Sequence, residues 1–175
     1  MKAREITQVA LLAAMGVVLP SIFHLSGIPG KVFLPMHIPV LLGGFLLRPQ
    51  VALLLGLILP PLNFLLTGMP PFPNFIAMMF ELGAYGFFSS LLYGRVGWGV
   101  LASLLSSMLL GRLVSILANW ALFIALGVKF NLKILLQGLF IVSLPGIAIQ
   151  LVAIPTLLVI IWRWGKIEGR APRFL

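Results

Sequence analysis

Glu81 is one of only three acidic residues in a chain of 175, and it falls inside the apolar stretch NFIAMMFELGAYGF. A carboxylate in such a setting can pair with a cation, exchange a proton or hold a polar group of a ligand, and each use requires shelter from lipid. Asn74, Met78, Glu81 and Tyr85 follow one another at i, i+4, i+7 and i+11, so a helix turning about 100° per residue lines them along one stripe. At a rise of ~1.5 Å per residue, Glu81 lies about 10 Å below Asn74. At that depth the carboxylate needs a partner or a proton.

Arg112 is the candidate partner, with Ser115 and Asn119 on much the same helical face three and seven residues later. By counting along the chain Arg112 lies deeper than Glu81, so pairing requires helix tilt or the reach of the arginine side chain. Two uses of the pair stay open: an ion pair that only fixes helix packing, and one in which a member touches a ligand. A third polar face comes from Ser143 and Gln150, one heptad apart in SLPGIAIQLVAIP. Pro145 and Pro155 loosen that segment, and freed carbonyls are tolerated only where protein or a cavity covers them. His37, in FLPMHIPVLL, stands at a membrane edge with His24 as the only other histidine, which favours an interfacial or hydrogen-bonding role over metal binding. No metal and no cofactor is expected, and the Met78–Met79 pair and the phenylalanines are expected to pack or face lipid.

The missing chemistry is equally informative. Cysteine is absent, which removes disulfides, thiolate metal sites and cysteine nucleophiles. There is no phosphate-binding loop, no Ser/His/Asp set and no metal-spaced cluster, so no enzyme is expected and the chain cannot power transport by itself. The formal charge is +9, but the basic residues stand singly at segment ends rather than in the stripe that nucleic-acid binding needs.

The elements that must position these residues follow from composition. With 61% hydrophobic and 9% charged residues, the chain reads as an all-α integral membrane protein. Spans are expected at roughly Ile6–Leu25, Met36–Leu47, Val51–Leu66, Asn74–Tyr93, Trp98–Val128 and Leu132–Trp164, a bundle of six transmembrane helices forming a single domain over residues 1–175. The basic start and first apolar run resemble a signal peptide, but without a small-residue cleavage pattern the first span is expected to be retained. Placing both termini in the cytoplasm puts Lys2, Arg4, Arg48, Arg95, Arg163, Lys166, Arg170 and Arg173 inside and only Lys31, Lys129 and Lys133 outside, as the positive-inside rule expects. The loops SGIPGKVFLP, TGMPPFP and GVKFN then face outward. Their Pro and Gly punctuation suits the rim of a binding pocket, although the same residues also simply terminate helices. Ala10 and Ala14 form a small-xxx-small step on which another helix, internal or foreign, can pack closely.

Taken together, FLPMHIPVLLGGFLL, PPLNFLLTGMPPFPNFIAMMFELGAYGF, GRLVSILA and LPGIAIQLVAIP resemble the substrate-binding S component of energy-coupling factor (ECF) transporters, the bacterial vitamin importers. The resemblance covers nearly the whole chain in order. It implies an outward vitamin pocket in a multi-pass protein of the bacterial cytoplasmic membrane. It also implies docking onto a T component that carries two ABC ATPases, with Ala10 and Ala14 matching the family's AxxxA contact. Loaded with vitamin, the S component would topple in the bilayer and be reset by ATP hydrolysis in its partners. Carried over by position, the pocket would use Asn74, Met78, Glu81, Tyr85, Asn119, Trp120 and Gln150, with Met36, His37, Met69 and Pro70 at the rim, while Arg112 matches the family's Gly-Arg step as a binding or structural residue. The PMHIP and GMPP blocks most resemble members assigned to pantothenate or vitamin B6 compounds. A carboxylate ligand would want Arg112 or a loop lysine free, an amine would suit Glu81, and pantothenate stands ahead. The rival class is a stand-alone proton-coupled carrier or a non-transporting membrane assembly subunit.

Overall fold

The computed structural model describes residues 3–27, 29–127 and 131–164, and all regular structure among them is helical. Of the residues behind the expected charge asymmetry, Lys2, Lys129, Lys166, Arg170 and Arg173 lie outside the described residues, as do Ile28, Val128 and Phe130 of the expected outward loops. Eight α-helices follow in order: α1 Ala3–Leu25, α2 Gly30–Phe33, α3 His37–Leu46, α4 Pro49–Thr67, α5 Asn74–Leu91, α6 Val100–Ala125, α7 Leu132–Leu136 and α8 Leu144–Trp164.

Their boundaries have local causes. Arg48 is extended and Pro49 opens α4, where the missing N–H of proline costs nothing. Gly68 closes α4 with φ 72°, a left-handed conformation that a Cβ would penalise. A π-helical turn over Leu92–Val96 prolongs α5, and Asn131 caps α7 by accepting a hydrogen bond from the Ile134 N–H at 3.2 Å.

Among the described residues five helical segments are long and apolar enough to cross a membrane: Ala3–Leu25, Pro49–Thr67, Asn74–Val96, Val100–Ala125 and Leu144–Arg163. Two of the expected spans look different from their sequence outline. The one placed at Met36–Leu47 is a helix of ten residues, eight of them buried. It is apolar all round because protein, not lipid, surrounds it. The one placed at Leu132–Trp164 is divided into α7, a π-helical stretch Gln137–Val142 and α8. Pro145 supplies no N–H to the preceding turn and disfavours helical geometry at the residue before it, so the α-helix restarts at its doorstep.

α3 and α5 form the centre. Val40 and Leu41 on α3, Leu82 and Tyr85 on α5, Leu59 on α4, Leu104 on α6, and Ile154 and Leu158 on α8 are all fully buried. α4 and α5 cross at backbone contact: a Cβ at Gly56 would meet the Leu82 carbonyl, and one at Gly86 the Ala52 carbonyl. Small residues allow this approach where lipid offers no hydrophobic drive for helices to associate. Polar side chains tie the helices further. Ser89 donates to Ser107 at 2.7 Å, Ser90 to the Leu47 carbonyl at 2.6 Å, and Asn63 to the Gly16 carbonyl at 2.9 Å. Large apolar side chains such as Leu65, Leu113, Leu117 and Val152 cover the outside, as a bilayer requires. α1 is peripheral, with only Leu12 and Gly16 buried.

Candidate functional site

The stripe on α5 carries Glu81 into the middle of the bundle, where it is 4% exposed. Its carboxylate is met from three sides. Arg112 Nη1 on α6 donates to Oε1 at 2.7 Å, Tyr85 one turn along α5 donates to the same oxygen at 2.9 Å, and Ser115 Oγ donates to Oε2 at 2.8 Å. Arg112, expected from chain counting to lie deeper than Glu81, is instead level with it: a Cβ on the preceding Gly111 would stand 3.2 Å from the Glu81 carbonyl, so no gap has to be bridged. The glycine before Arg112 has a steric reason: a Cβ at Gly111 would overlap the Tyr85 ring, and the Glu81 carbonyl stands 3.2 Å from that position. Gly111 therefore lets α5 and α6 approach until tyrosine, glutamate and arginine interlock.

Further helices complete the cluster. Arg112 Nη2 donates to Ser143 Oγ at 3.2 Å, linking α6 to the start of α8, and Ser143 in turn donates to the Leu139 carbonyl. Asn119 donates to the Ser115 carbonyl at 2.8 Å. From α3, His37 Nε2 lies 3.6 Å from Glu81 Oε1, too long for a hydrogen bond, and its ring tilts against that of Tyr85 with centroids 5.5 Å apart. Met36, directly before His37, is buried as well.

Several polar atoms here have no partner. Among the described residues neither ring nitrogen of His37 and neither amide atom of Gln150 has a hydrogen-bond partner, although both residues are essentially inaccessible. Gln150 lies two turns along α8 from Ser143, on its buried face. A buried polar atom without a partner costs about 1–3 kcal/mol, so native proteins keep few of them without a use.

The residues expected from sequence divide into three groups. His37, Met36, Glu81, Tyr85, Arg112, Asn119 and Gln150 are buried, so Met36 and His37, expected at the rim, lie inside the bundle instead; Glu81, Tyr85, Arg112 and Asn119 are hydrogen-bonded to one another directly or through Ser115. Met78 is half-buried, packed against the apolar core. Asn74 is exposed at the first position of α5, Met69 is 43% exposed, and Pro70 is partly exposed, so these three stand at the end of the bundle above Glu81. Trp120 departs furthest from a pocket position. It is 52% exposed, because one residue beyond buried Asn119 a helix has already turned ~100° outward. Ala10 and Ala14 are both exposed on α1. Sequence reasoning missed Asn63, whose only signal was an amide inside the apolar helix PPLNFLL. It also left out of the site Ser115 and Ser143, which hold the ion pair.

The arrangement offers buried polar atoms that can recognise a ligand. Among the described residues no group of three potential ligands could hold a metal ion; Glu81 is committed to internal bonds, whereas Arg112 uses two of its five N–H donors. Ionisable side chains buried inside a helical, multi-pass membrane protein mark a candidate functional site. Residues 4–162 match the family described as ECF transporter, substrate-specific component, and the chain belongs to that family. It is accordingly a transporter's substrate-binding subunit rather than an enzyme, and the family implies association with a T component and ATPases in the membrane. No curated protein and no solved structure matches the chain.

Proposed function

We propose that the chain captures a water-soluble vitamin, pantothenate ahead of vitamin B6 compounds, from the exterior and passes it inward with an ATP-driven module of one T component and two ATPases. The observation that carries this is the unequal saturation of the ion pair. Glu81 already accepts three hydrogen bonds from Arg112, Tyr85 and Ser115, leaving little room for an amine. Arg112 commits two of its five N–H donors, to Glu81 and Ser143, and retains donors for a carboxylate. The unpaired amide of Gln150 and ring of His37 suit the hydroxyl and amide groups that accompany a carboxylate in pantothenate.

In this account the binding residues are Glu81, Tyr85, Arg112, Asn119, Gln150, Met36, His37 and Met78, with Met69, Pro70 and Asn74 as the mouth; Trp120 faces outward and its contact would require movement. α3 and the α7–α8 pair complete six membrane passages of one domain, with both termini in the cytoplasm of a bacterium. Ala10 and Ala14, exposed on the least buried long helix, offer the small-residue step for the T component. Titrating purified protein with a panel of vitamins tests the substrate. Saturable pantothenate binding is expected, binding of only a B6 compound would reassign the ligand, and binding of neither would remove both. Uptake into reconstituted vesicles is expected only when the ATPase module is present; uptake without it would identify a stand-alone carrier.

A further inference from the structure

A second polar region lies at the opposite end of the bundle from the mouth, where α1 and α4 begin and α3 and α5 end. It is a cavity of about 740 Å³ whose lining includes Arg4, Gln8, Arg48, Gln50, Tyr93 and Arg95, with Glu5 as its one carboxylate. Glu5 is already committed. Arg48 Nε donates to its Oε1 at 2.8 Å and Arg48 Nη2 to its Oε2 at 2.7 Å, a two-pronged pair. Three guanidinium groups against one carboxylate leave two positive charges. They fall on Arg4 and Arg95, which are exposed and have no ion-pair partner among the described residues.

The surroundings of this basic cavity are apolar and aromatic. Tyr93 stacks on Trp162 with ring centroids 5.9 Å apart and meets Phe45 edge-on at 5.3 Å. Val96 and Trp98, next along the chain from Arg95, are 54% and 44% exposed. Aromatic rings gathered at the end of an apolar bundle mark the level of lipid headgroups, and basic pockets between helices at that level suit anionic headgroups. We propose that this cavity binds a phosphate group between Arg4 and Arg95, and that an anionic phospholipid supplies it. The headgroup would enter the cavity while the acyl chains lie against Val96 and Trp98. Gln8 and Gln50 provide neutral donors, and the Glu5–Arg48 pair fixes the wall between the two free arginines. This site is separate from the buried cluster around Glu81 and does not depend on what that cluster binds.

Native mass spectrometry of the purified chain in micelles with equal amounts of phosphatidylglycerol and phosphatidylcholine tests the proposal. The wild type is expected to retain phosphatidylglycerol with a preference of roughly thirtyfold, from two unpaired cations at the surface. The double variant Arg4→Gln/Arg95→Gln should lose it, Arg95→Gln alone should lose part of it, and Arg163→Gln, an exposed arginine outside the cavity, should keep it. Thermal unfolding of each variant confirms that the change is in binding. Excess glycerol 3-phosphate separates the sources: failure to displace the lipid supports a lipid site, whereas displacement keeps the phosphate site but overturns the lipid as its source. Equal retention of both lipids by the wild type, or an undiminished preference in the double variant, would overturn the proposal outright.

Discussion

Glu81–Arg112 and Glu5–Arg48 are the same chemical pair at the same closest distance, 2.7 Å, in opposite settings. The first has both side chains 5% exposed, while in the second the arginine is 65% and the glutamate 14% exposed. The inner carboxylate takes additional bonds from Tyr85 and Ser115; among the described residues the outer one is hydrogen-bonded by its arginine only. The contrast separates two uses of one interaction. Buried charges must be fully partnered because desolvation is expensive and cannot be recovered from water. An exposed pair at a headgroup level is weakly stabilising, and its value lies in what it leaves unpaired beside it.

The sharpest way to break the comparison is to remove one inner charge. Arg112→Leu or Glu81→Gln alone should cost about 3–5 kcal/mol, because each strands a buried polar partner. The double variant should cost far less than the sum, as a double-mutant cycle of folded yield or thermal unfolding will reveal. Strict additivity would mean the two side chains do not interact. Next in size is Gly111→Ala, which drives a methyl group into the Tyr85 ring and should destabilise by about 1–3 kcal/mol. Gly94→Ala, with open space around its Cβ position, is the matched control and should leave the melting temperature nearly unchanged. Smallest is Glu5→Gln, which should leave thermal stability within measurement error. A large loss there would show that the outer pair is structural after all.

Much of the inner site was legible in the sequence. The spacing from Met78 through Glu81 to Tyr85 put one carboxylate and one phenol on a common stripe, and the spacing from Arg112 to Ser115 and Asn119 put their partners on another. What spacing could not supply was where neighbouring helices stop. Asn74 shares the stripe of Glu81 but lies above the end of the packed bundle, so it is exposed. Trp120 follows Asn119 by one residue, and the ~100° turn of a helix carries it to the exposed face, a rotation that adjacency in the sequence hides. The outer pair joins residues 43 positions apart, and neither member stands out from an ordinary segment-end charge. The ten-residue α3 was visible as a short apolar run, yet its burial on all sides depends on contacts with α1, α4, α5 and α8 that no local pattern encodes. The break before α8 had a local signal in Pro145, but the π-helical turns ahead of it had none.

Gln150 offers the most direct test, because its amide is fully buried and has no hydrogen-bond partner among the described residues. Pantothenate titrations and thermal unfolding should be measured together on the wild type and on Gln150→Leu. If the unpaired amide is kept for a ligand, the substitution lowers affinity by about tenfold or more while the ligand-free protein melts at the same or a higher temperature, since an unsatisfied polar group has been removed. Unchanged affinity, or a loss of affinity matched by an equal loss of stability without ligand, would contradict the assignment of this cluster as the substrate site.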